Sequence, residues 1–167
     1  RAKLPSFMVD KNPETITMTA CRALKTLALL LPMLAAIAGQ AGPVLATKGN
    51  LNNEIGLPLT LFRLSGEHRR AVLEMGANHA GEIRRLTAIG APDVGVVTMA
   101  GPAHLEGFGS IEGVAHAKGE LFQGLAPGAT AVINANDVYA PLWHEFAGER
   151  PILTFGTRDA DVRCDEP

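Results

Sequence analysis

Short apolar segments alternate with segments of helical spacing from residue 43 onward. Each apolar segment is nearly continuous and built of apolar and β-branched residues, as expected for a parallel strand that is buried on both faces. This pattern predicts strands over residues 43–47, 70–75, 94–99, 130–134 and 152–155. The segments between the strands predict helices over residues 51–64, 80–88, 110–123 and 138–146.

The ends of these helices carry recognisable signals. Ser110 precedes a helical segment and is expected to cap its first turn. Gly90, Gly124 and Gly148 stand where helices should stop. Alternation of strands and helices with short loops predicts an α/β domain whose doubly wound, mainly parallel sheet forms one layer. Ligands of such sheets bind at the carboxyl ends of the strands.

The first 42 residues follow the alternation poorly, although residues 16–19 could form a strand and residues 21–38 a helix. Residues 22–38 resemble a secretory signal peptide, because basic residues precede an apolar run that ends in Ala-Ile-Ala. The run lies inside the chain and is too short to span a bilayer. A buried helix that Pro32 kinks or starts is therefore favoured over a secreted or periplasmic protein.

Composition indicates one soluble globular domain, since 47% of the 167 residues are hydrophobic and 19% are charged. The net charge of −2 and the low aromatic content argue against nucleic acid as a partner. Cys21 and Cys164 have no metal-binding spacing, which favours two reduced thiols in a cytoplasmic protein. The chain begins at Arg1 and is interpreted as a piece of something longer.

Polar residues follow the predicted strands, where a ligand site is expected. Glu74 ends one strand beside a glycine-containing turn, which suits a Mg²⁺ ligand or, equally, a helix cap. His104 lies in a loop with three glycines, which suits anion or metal binding or a plain solvated connection. Lys118 lies among small residues on a helix and points either to the site or to solvent.

Amide groups form the remaining clusters. Asn134 and Asp137 follow another strand and suit a ribose or base edge, although such residues also make turns. Asn50, Asn52 and Asn53 precede a helix and suit a peptide or sugar, or simply a helix start. The residues by themselves predict an α/β domain that handles a nucleotide or a phosphate.

Five segments in order along the chain resemble the Mur ligases, in particular the branch that adds D-alanyl-D-alanine. The most specific are Asn-Leu-Asn-Asn-Glu-Ile-Gly from residue 50 and His-Leu-Glu-Gly-Phe-Gly-Ser from residue 104. The others lie at residues 74–82, 117–120 and 133–137, so the resemblance covers about residues 43 to 156. It divides the chain into an atypical part, 1–42, and a core of the family's central domain, 43–167.

The resemblance implies the central, ATP-binding domain of a three-domain ATP-dependent amide ligase of peptidoglycan synthesis. The family phosphorylates a carboxylate of its substrate with ATP and Mg²⁺, and an amine then attacks the acyl phosphate. The implied partners are UDP-N-acetylmuramoyl tripeptide, D-alanyl-D-alanine and the flanking domains of the same enzyme. Neither a nucleic acid nor a membrane is expected as a partner, and the implied location is the cytoplasm.

The resemblance also implies roles for single residues. Glu74 would hold Mg²⁺, His104 would contact a metal ion or phosphate, and Lys118 matches a lysine that the family carbamylates into a metal ligand. Asn134 and Asp137 would contact the nucleoside of ATP. The residues expected to face the precursor peptide are Asn50, Asn52 and Asn53.

The family's Thr-Gly-x-x-Gly-Lys-Thr phosphate loop is altered. The candidate, residues 19–26, keeps Lys25 for the phosphates and Thr26 for phosphate and metal, but it lacks glycine and is one residue too long. Glycines let the backbone wrap the phosphates closely. The altered loop leaves two interpretations open: a fragment of a ligase, or a non-catalytic α/β domain that keeps the fold and has lost ATP binding.

Overall fold

The computed structural model describes residues 27–102, 105–157 and 159–163. The chain divides into two compact units, Arg1–Met75 and Gly76–Pro167. The predicted strand at residues 16–19, the start of the first predicted helix and the phosphate-loop candidate lie outside the described residues. The division at residue 42, inferred from the resemblance, stays a prediction.

The described residues of the first unit form a pair of parallel strands and two helices. Val44 lies opposite Arg70 in the ladder, and Thr47 extends it by donating its backbone N–H to Val72 O at 3.1 Å. Pro32 lies inside the first described helix. The elements are α1 (Leu27–Gly39), β1 (Val44–Ala46), α2 (Gly56–Leu61) and β2 (Arg70–Val72).

Helix α2 is much shorter than the helix predicted over residues 51–64. The Asn53 side-chain carbonyl accepts hydrogen bonds from the backbone N–H groups of Ile55, at 3.1 Å, and Gly56, at 2.8 Å. The chain makes a tight turn before the helix that brings Gly56 against the backbone of Leu51. A Cβ on Gly56 would overlap the Leu51 Cα. Residues 51–55, which looked helical by spacing, therefore belong to a loop.

The second unit contains a four-stranded sheet in the order β3-β4-β5-β6, with every neighbouring pair parallel. Among the described residues, the strands predicted as one layer pair in two groups. The short strand β6 was not predicted. The elements are α3 (Glu82–Gly90), β3 (Val94–Val97), α4 (Leu105–Phe108), α5 (Ile111–Gly124), β4 (Thr130–Asn134), α6 (Ala140–Ala147), β5 (Ile152–Gly156) and β6 (Val162–Arg163).

The core of this unit lies where α5 and α6 meet β4. Phe122, Ile133 and Trp143 are fully buried in one hydrophobic cluster. The Trp143 indole Nε1 donates to Ala115 O at 3.0 Å, so the one polar atom of this side chain is satisfied inside the core. Burial on both faces, expected for every strand, does not hold for β3, where Val96 is 37% exposed.

The helix signals in the sequence are confirmed. Ser110 adopts extended backbone before α5 and accepts a hydrogen bond from the Gly113 N–H at 3.0 Å. Gly90 and Gly124 end their helices, and Gly148 follows the last residue of α6. In the described part of the chain, no helix has the length and hydropathy needed to cross a membrane.

Candidate functional site

Glu74, in the first unit, follows the end of β2 and is held by two neighbours. Its backbone N–H donates to the Thr47 hydroxyl at 3.0 Å, and Thr47 itself is buried at the end of β1. The Asn52 amide donates to the Glu74 carboxylate at 2.8 Å. The carboxylate is therefore oriented by a residue of the asparagine cluster, which brings two of the predicted site residues together.

The three asparagines of the cluster differ in what they do. Asn52 orients Glu74, whereas the Asn53 carbonyl oxygen is used at the start of α2. Asn50 is exposed. The helix-start interpretation thus holds for Asn53, and contact of these residues with a peptide stays a prediction.

In the second unit, three consecutive residues after β3 are held by side chains from elsewhere in the fold. The Asn134 amide donates to Thr98 O at 2.8 Å, and Lys118 Nζ donates to Met99 O at 2.6 Å. The Ala100 N–H donates to an Asp137 carboxylate oxygen at 2.8 Å. We call residues 98–101 the β3 loop. Sequence spacing alone gave no sign that Lys118, Asn134 and Asp137 act on the same loop.

The remaining polar atoms of Asn134 and Asp137 also have partners in the protein. The Asn134 carbonyl oxygen accepts from the Asn136 N–H, and the second Asp137 oxygen accepts from the Tyr139 N–H, both at 2.9 Å. These bonds shape the turn after β4, as the turn interpretation of the two residues expects. Contact of either residue with a nucleoside stays a prediction.

Lys118 is half-buried on α5. Burial lowers the pKa of its ammonium group, and the nearby Asp137 carboxylate acts in the opposite direction. A lowered pKa increases the fraction of neutral amine, the nucleophilic form of lysine. Lys118 is thus not fully solvated, and its role at a site stays a prediction.

Glu120 lies on the same helix as Lys118 and was assigned no role from the sequence. It is 7% exposed, and its carboxylate accepts hydrogen bonds from the Gly81 N–H at 2.6 Å and the Arg84 N–H at 3.1 Å. Gly81 has a positive φ of 87° and precedes α3. A carboxylate at a helix N-terminus satisfies free N–H groups there and interacts favourably with the helix dipole.

The turn before α3 has a second carboxylate, that of Glu82. It accepts from the Asn78 N–H at 2.7 Å, and this backbone hydrogen bond is the main reason for the lowered pKa of Glu82. Asn78 is also closely approached by Gly107 of α4, where an added Cβ would overlap the Asn78 carbonyl oxygen. Gly107, the first glycine of the His-Leu-Glu-Gly-Phe-Gly-Ser segment, thus leaves no room for a side chain.

A further pair joins the ends of β4 and β5. The Asn136 carbonyl accepts from the Thr157 N–H at 2.7 Å, and its amide donates to the Thr157 hydroxyl at 2.9 Å. Gly156 allows this approach, since a Cβ there would lie 2.2 Å from the Asn136 carbonyl oxygen. Three polar residues at one strand end, Asn134, Asn136 and Asp137, therefore hold two different loops.

The predicted convergence of Glu74, His104 and Lys118 stays a prediction. Glu74 belongs to the first unit and Lys118 to the second, while His104, Lys25 and Thr26 lie outside the described residues. Among the described side chains, no group of three or more His, Cys, Asp and Glu residues is arranged to hold a metal ion. The donor chemistry of Glu74 itself suits Mg²⁺, which prefers carboxylate oxygen and binds through one or two carboxylates plus phosphates.

Comparison with known families identifies one match that covers most of the chain. The model of the Mur ligase middle domain matches residues 30–165. This match begins before residue 43 and extends past residue 156, so it is longer than the resemblance seen in the motifs.

Several curated relatives carry the name UDP-N-acetylmuramoyl-tripeptide–D-alanyl-D-alanine ligase. The Haemophilus influenzae protein is 41% identical over 163 residues, which are 96% of this chain and 36% of the relative. The Escherichia coli K12 protein is 46% identical over 129 residues, which are 77% of this chain and 28% of the relative. The chain thus spans about a third of the length of these relatives.

Solved structures agree with this result. A structure of MurF from Acinetobacter baumannii matches with a TM-score of 0.77 at 38% identity, over 81% of this chain and 30% of that one. The MurF ligase from Thermotoga maritima in complex with ADP matches with a TM-score of 0.69 at 28% identity, over 96% of this chain and 41% of that one. The α/β fold predicted from the sequence is therefore confirmed.

Proposed function

Because this chain belongs to the Mur ligase middle-domain family, we propose that it is the ATP-binding part of a ligase that joins D-alanyl-D-alanine to UDP-N-acetylmuramoyl tripeptide. The observation that carries the proposal is the family match over residues 30–165, together with curated relatives that bear this ligase's name. The proposed location is the cytoplasm, where the product serves peptidoglycan synthesis, cell shape and cell division.

ATP binding is supported by the relative solved in complex with ADP. Lys25 and Thr26 are proposed to meet the phosphates, and Thr26, Glu74 and His104 to serve the metal–phosphate site. Bound Mg²⁺ would offset negative charge on the transferring phosphoryl group. Glu74 fits this role because Asn52 and the Thr47 hydroxyl fix its orientation in advance.

Lys118 is proposed to react with CO₂ and so to become an anionic metal ligand. Loss of one proton turns the ammonium group into the neutral amine. Addition of CO₂ to that amine forms an N–C bond and releases a second proton, which leaves an anionic carbamate. Burial supports this step, because it lowers the pKa of the ammonium group and raises the fraction of neutral amine. Together with His104, Lys118 then forms the proposed catalytic pair.

The chemistry proposed for the whole enzyme has two steps. The tripeptide carboxylate attacks the γ-phosphorus of ATP, releasing ADP and forming an acyl phosphate. The amine of D-alanyl-D-alanine then attacks the acyl carbon, a new amide bond forms and phosphate leaves. Asn50, Asn52 and Asn53 are proposed to orient the peptide of the precursor by neutral hydrogen bonds, and the flanking domains to hold the remaining substrate groups.

A chimeric ligase tests this function. The corresponding segment of the H. influenzae relative is replaced by this chain, and ADP release that depends on D-alanyl-D-alanine is measured. A second chimera keeps the relative's own phosphate loop in place of residues 19–26. Activity in either chimera supports the ligase function, and activity in the second alone assigns the defect to the loop.

Two outcomes would contradict parts of this proposal. If both chimeras fold and neither is active, the non-catalytic α/β domain is the better description of this chain. If the active chimera keeps its activity after Lys118→Ala, the role proposed for that lysine is wrong. The matched control is Lys48→Ala, since Lys48 is an exposed lysine.

A further inference from the structure

Helix α2 presents an apolar face to solvent. Ile55 precedes the helix and Phe62 follows it, and both have helical backbone angles. The Leu59 N–H donates to Ile55 O at 3.2 Å and the Phe62 N–H donates to Pro58 O at 2.9 Å, so helical spacing runs from residue 55 to residue 62. Ile55, Leu59 and Phe62 stand at positions i, i+4 and i+7 and therefore lie on one face. We call these three residues the α2 stripe.

All three residues of the α2 stripe are exposed. Ile55 is 74% exposed, Leu59 is 50% exposed and Phe62 is 84% exposed. Single exposed apolar residues are common on protein surfaces, whereas a contiguous apolar patch marks a site of interaction. Three large apolar side chains in line on a helix of six residues form such a patch. This face of α2 is therefore suited to being covered by another part of a protein.

The opposite face of α2 supports the same conclusion. Gly56, Leu57 and Thr60 are buried there, and Thr60 is the one polar residue of the helix. Thr60 is fully buried, and among the described residues its hydroxyl has no hydrogen-bond partner. A helix that lies on a surface in water places polar side chains outside and apolar ones inside. Helix α2 has the reverse arrangement, which is typical of a helix that is buried on both faces.

The α2 stripe is continuous with the asparagine cluster. The Asn53 side-chain carbonyl accepts the Ile55 N–H at 3.1 Å, so a residue proposed to orient the precursor peptide is bonded to the first residue of the stripe. The precursor is one covalent molecule with a UDP-sugar at one end and a peptide at the other. The domain that holds its UDP-sugar must therefore come close to the residues that hold its peptide. Since the chain spans 36% of the H. influenzae relative, the larger part of such a polypeptide lies outside this chain and can supply that domain.

We propose that the α2 stripe is the docking surface for the flanking domain that holds the UDP-sugar end of the precursor. The inference rests on the proposed function, which requires both the precursor and the flanking domains. The partner presents an apolar surface of its own, and burial of one side chain such as Phe62 strengthens the association by about tenfold or more. Contact at the stripe places this domain beside Asn53, so the peptide end of the precursor reaches the asparagine cluster in a defined position.

The first test identifies the occupant of the stripe by photo-crosslinking. In the chimera that keeps the relative's own phosphate loop, Phe62 is replaced by p-benzoylphenylalanine, which on illumination links to groups in direct contact. Peptide mapping locates the link, and hydrogen exchange with and without UDP-N-acetylmuramoyl tripeptide identifies the domain that binds the UDP-sugar. We expect the link to lie in that domain. A link to the other flanking domain, a link between two copies of the ligase, or no link overturns the proposal.

The control for cross-linking places the same photoreactive residue at position 89. Ile89 is an apolar residue that is 46% exposed and belongs to α3 in the second unit. Its link to the domain that binds the UDP-sugar should form with at most about a tenth of the yield seen from position 62, since it is not part of the stripe. Equal yields from the two positions would show unspecific labelling and overturn the assignment.

The second test measures the effect of a charge in the stripe on substrate kinetics. Leu59→Asp and Phe62→Asp keep exposed side chains exposed in the chain itself, and urea unfolding checks that each variant is folded. In the active chimera the KM for the tripeptide precursor should rise by about tenfold in each variant, while the KM for D-alanyl-D-alanine stays unchanged. Ile89→Asp is the matched control and should change neither constant. The same precursor KM in Phe62→Asp and Ile89→Asp overturns the proposal.

Failure of the proposed function has a different signature, namely two chimeras that fold and release no ADP. The docking surface is then judged by cross-linking alone. A link from position 62 to the domain that binds the UDP-sugar supports it, and the absence of that link overturns it. An active chimera without the link leaves the ligase function in place and overturns the docking surface only.

Discussion

The Glu120 carboxylate is 7% exposed and accepts two backbone N–H bonds at the start of α3. Its removal leaves both donors without a partner in a partly buried place. We expect Glu120→Ala to lower the free energy of unfolding by about 1–3 kcal/mol, as for other lost bonds to charged groups. Urea unfolding of the wild type and the variant at neutral pH measures this difference in the free energy of unfolding.

Glu145→Ala is the matched control for Glu120, because Glu145 is an exposed carboxylate on the neighbouring helix α6. Its removal should change stability by less than about 0.5 kcal/mol, as at ordinary surface positions. Equal effects of the two substitutions would show that the hydrogen bonds of Glu120 contribute nothing beyond surface charge.

Asp161 gives the second unit a predictable response to acid. Its carboxylate accepts from the Thr154 N–H at 2.8 Å and the Thr154 hydroxyl at 2.7 Å, and chiefly the backbone bond lowers the pKa of Asp161. A carboxyl group with a lowered folded-state pKa stabilises the fold above its ordinary pKa, near 4, and loses that contribution as pH falls through the lowered value. Stability should therefore drop in acid partly through Asp161.

The check compares urea unfolding of the wild type and Asp161→Ala at pH 7 and at about pH 2.5. We expect the wild type to be more stable at pH 7 and the difference to shrink in acid, where the carboxylate becomes protonated. Asp159→Ala is the control, since Asp159 is an exposed neighbour in the same loop. A difference that is constant with pH would contradict the linkage to Asp161.

The sequence predicted where the polar site residues lie along the chain better than it predicted their hydrogen-bond partners. Asn52 and Glu74 were both expected at a site, and they are in fact hydrogen-bonded. The roles of Glu120 and of the bonds to the β3 loop could not be predicted, because their partners lie 19 to 39 positions away along the chain. These partners are backbone atoms, and a hydrogen bond to a backbone atom requires no particular residue type at that position.

At the scale of elements, the packing of α5 against α6 depends on Gly119. An added Cβ would lie 2.5 Å from Phe146 Cδ2 and 3.1 Å from Trp143 Cδ1. In an open helix Gly→Ala stabilises by up to about 1 kcal/mol, whereas overpacking a core costs about 1–3 kcal/mol. We expect the cost of overpacking to exceed the gain in helix propensity, so Gly119→Ala should be destabilising.

Two measurements check this prediction. Urea unfolding gives the loss of stability, and fluorescence reports the surroundings of Trp143, the only tryptophan of the chain. Gly39→Ala at the end of α1 is the control, because a Cβ there would meet no described atom within 4 Å beyond its chain neighbours and the backbone of its own helix. A Gly119→Ala variant that is as stable as Gly39→Ala would show that Phe146 moves aside without destabilising the core.

Element positions followed the sequence closely for some apolar runs, whereas the strands predicted over residues 70–75 and 94–99 are observed as Arg70–Val72 and Val94–Val97. The strand predicted over residues 130–134 is observed as Thr130–Asn134, and α5 differs from its prediction by a single residue at each end. The helix predicted over residues 51–64 shrank to Gly56–Leu61, since Asn53 and the close approach of Gly56 to Leu51 form a turn. The grouping into two sheets depends on strand pairing, which hydrophobic pattern does not encode.

At the scale of the whole molecule, the chain spans about a third of relatives such as the H. influenzae ligase. A ligase must hold an acyl donor, ATP and an amine together, and the proximity of reacting groups supplies much of the rate enhancement. The central domain contributes only part of that arrangement. Mixed with ATP, Mg²⁺, the tripeptide precursor and D-alanyl-D-alanine, this chain alone should release no measurable ADP by ligation.

Binding of ATP by the chain alone is expected to be weak for a separate reason. A phosphate loop points consecutive backbone N–H groups at the anion, and glycines allow both the φ angles and the close approach this requires. Residues 19–26 contain no glycine, so Lys25 and Thr26 should reach the phosphates without a well-shaped cradle. The loss of several charge-assisted contacts, each worth about 1.5–3 kcal/mol, lowers affinity by orders of magnitude.

Calorimetric titration with Mg-ATP measures this affinity, and a variant with a Gly-x-x-Gly-Lys-Thr loop in place of residues 19–26 is the comparison. Restoring the glycines should strengthen binding by at least about tenfold, since each recovered contact exceeds about 1.4 kcal/mol. Micromolar binding by the unaltered chain, with no gain from the restored loop, would contradict the argument. Such a result would mean that other polar residues at the strand ends hold the phosphates without a glycine-containing loop.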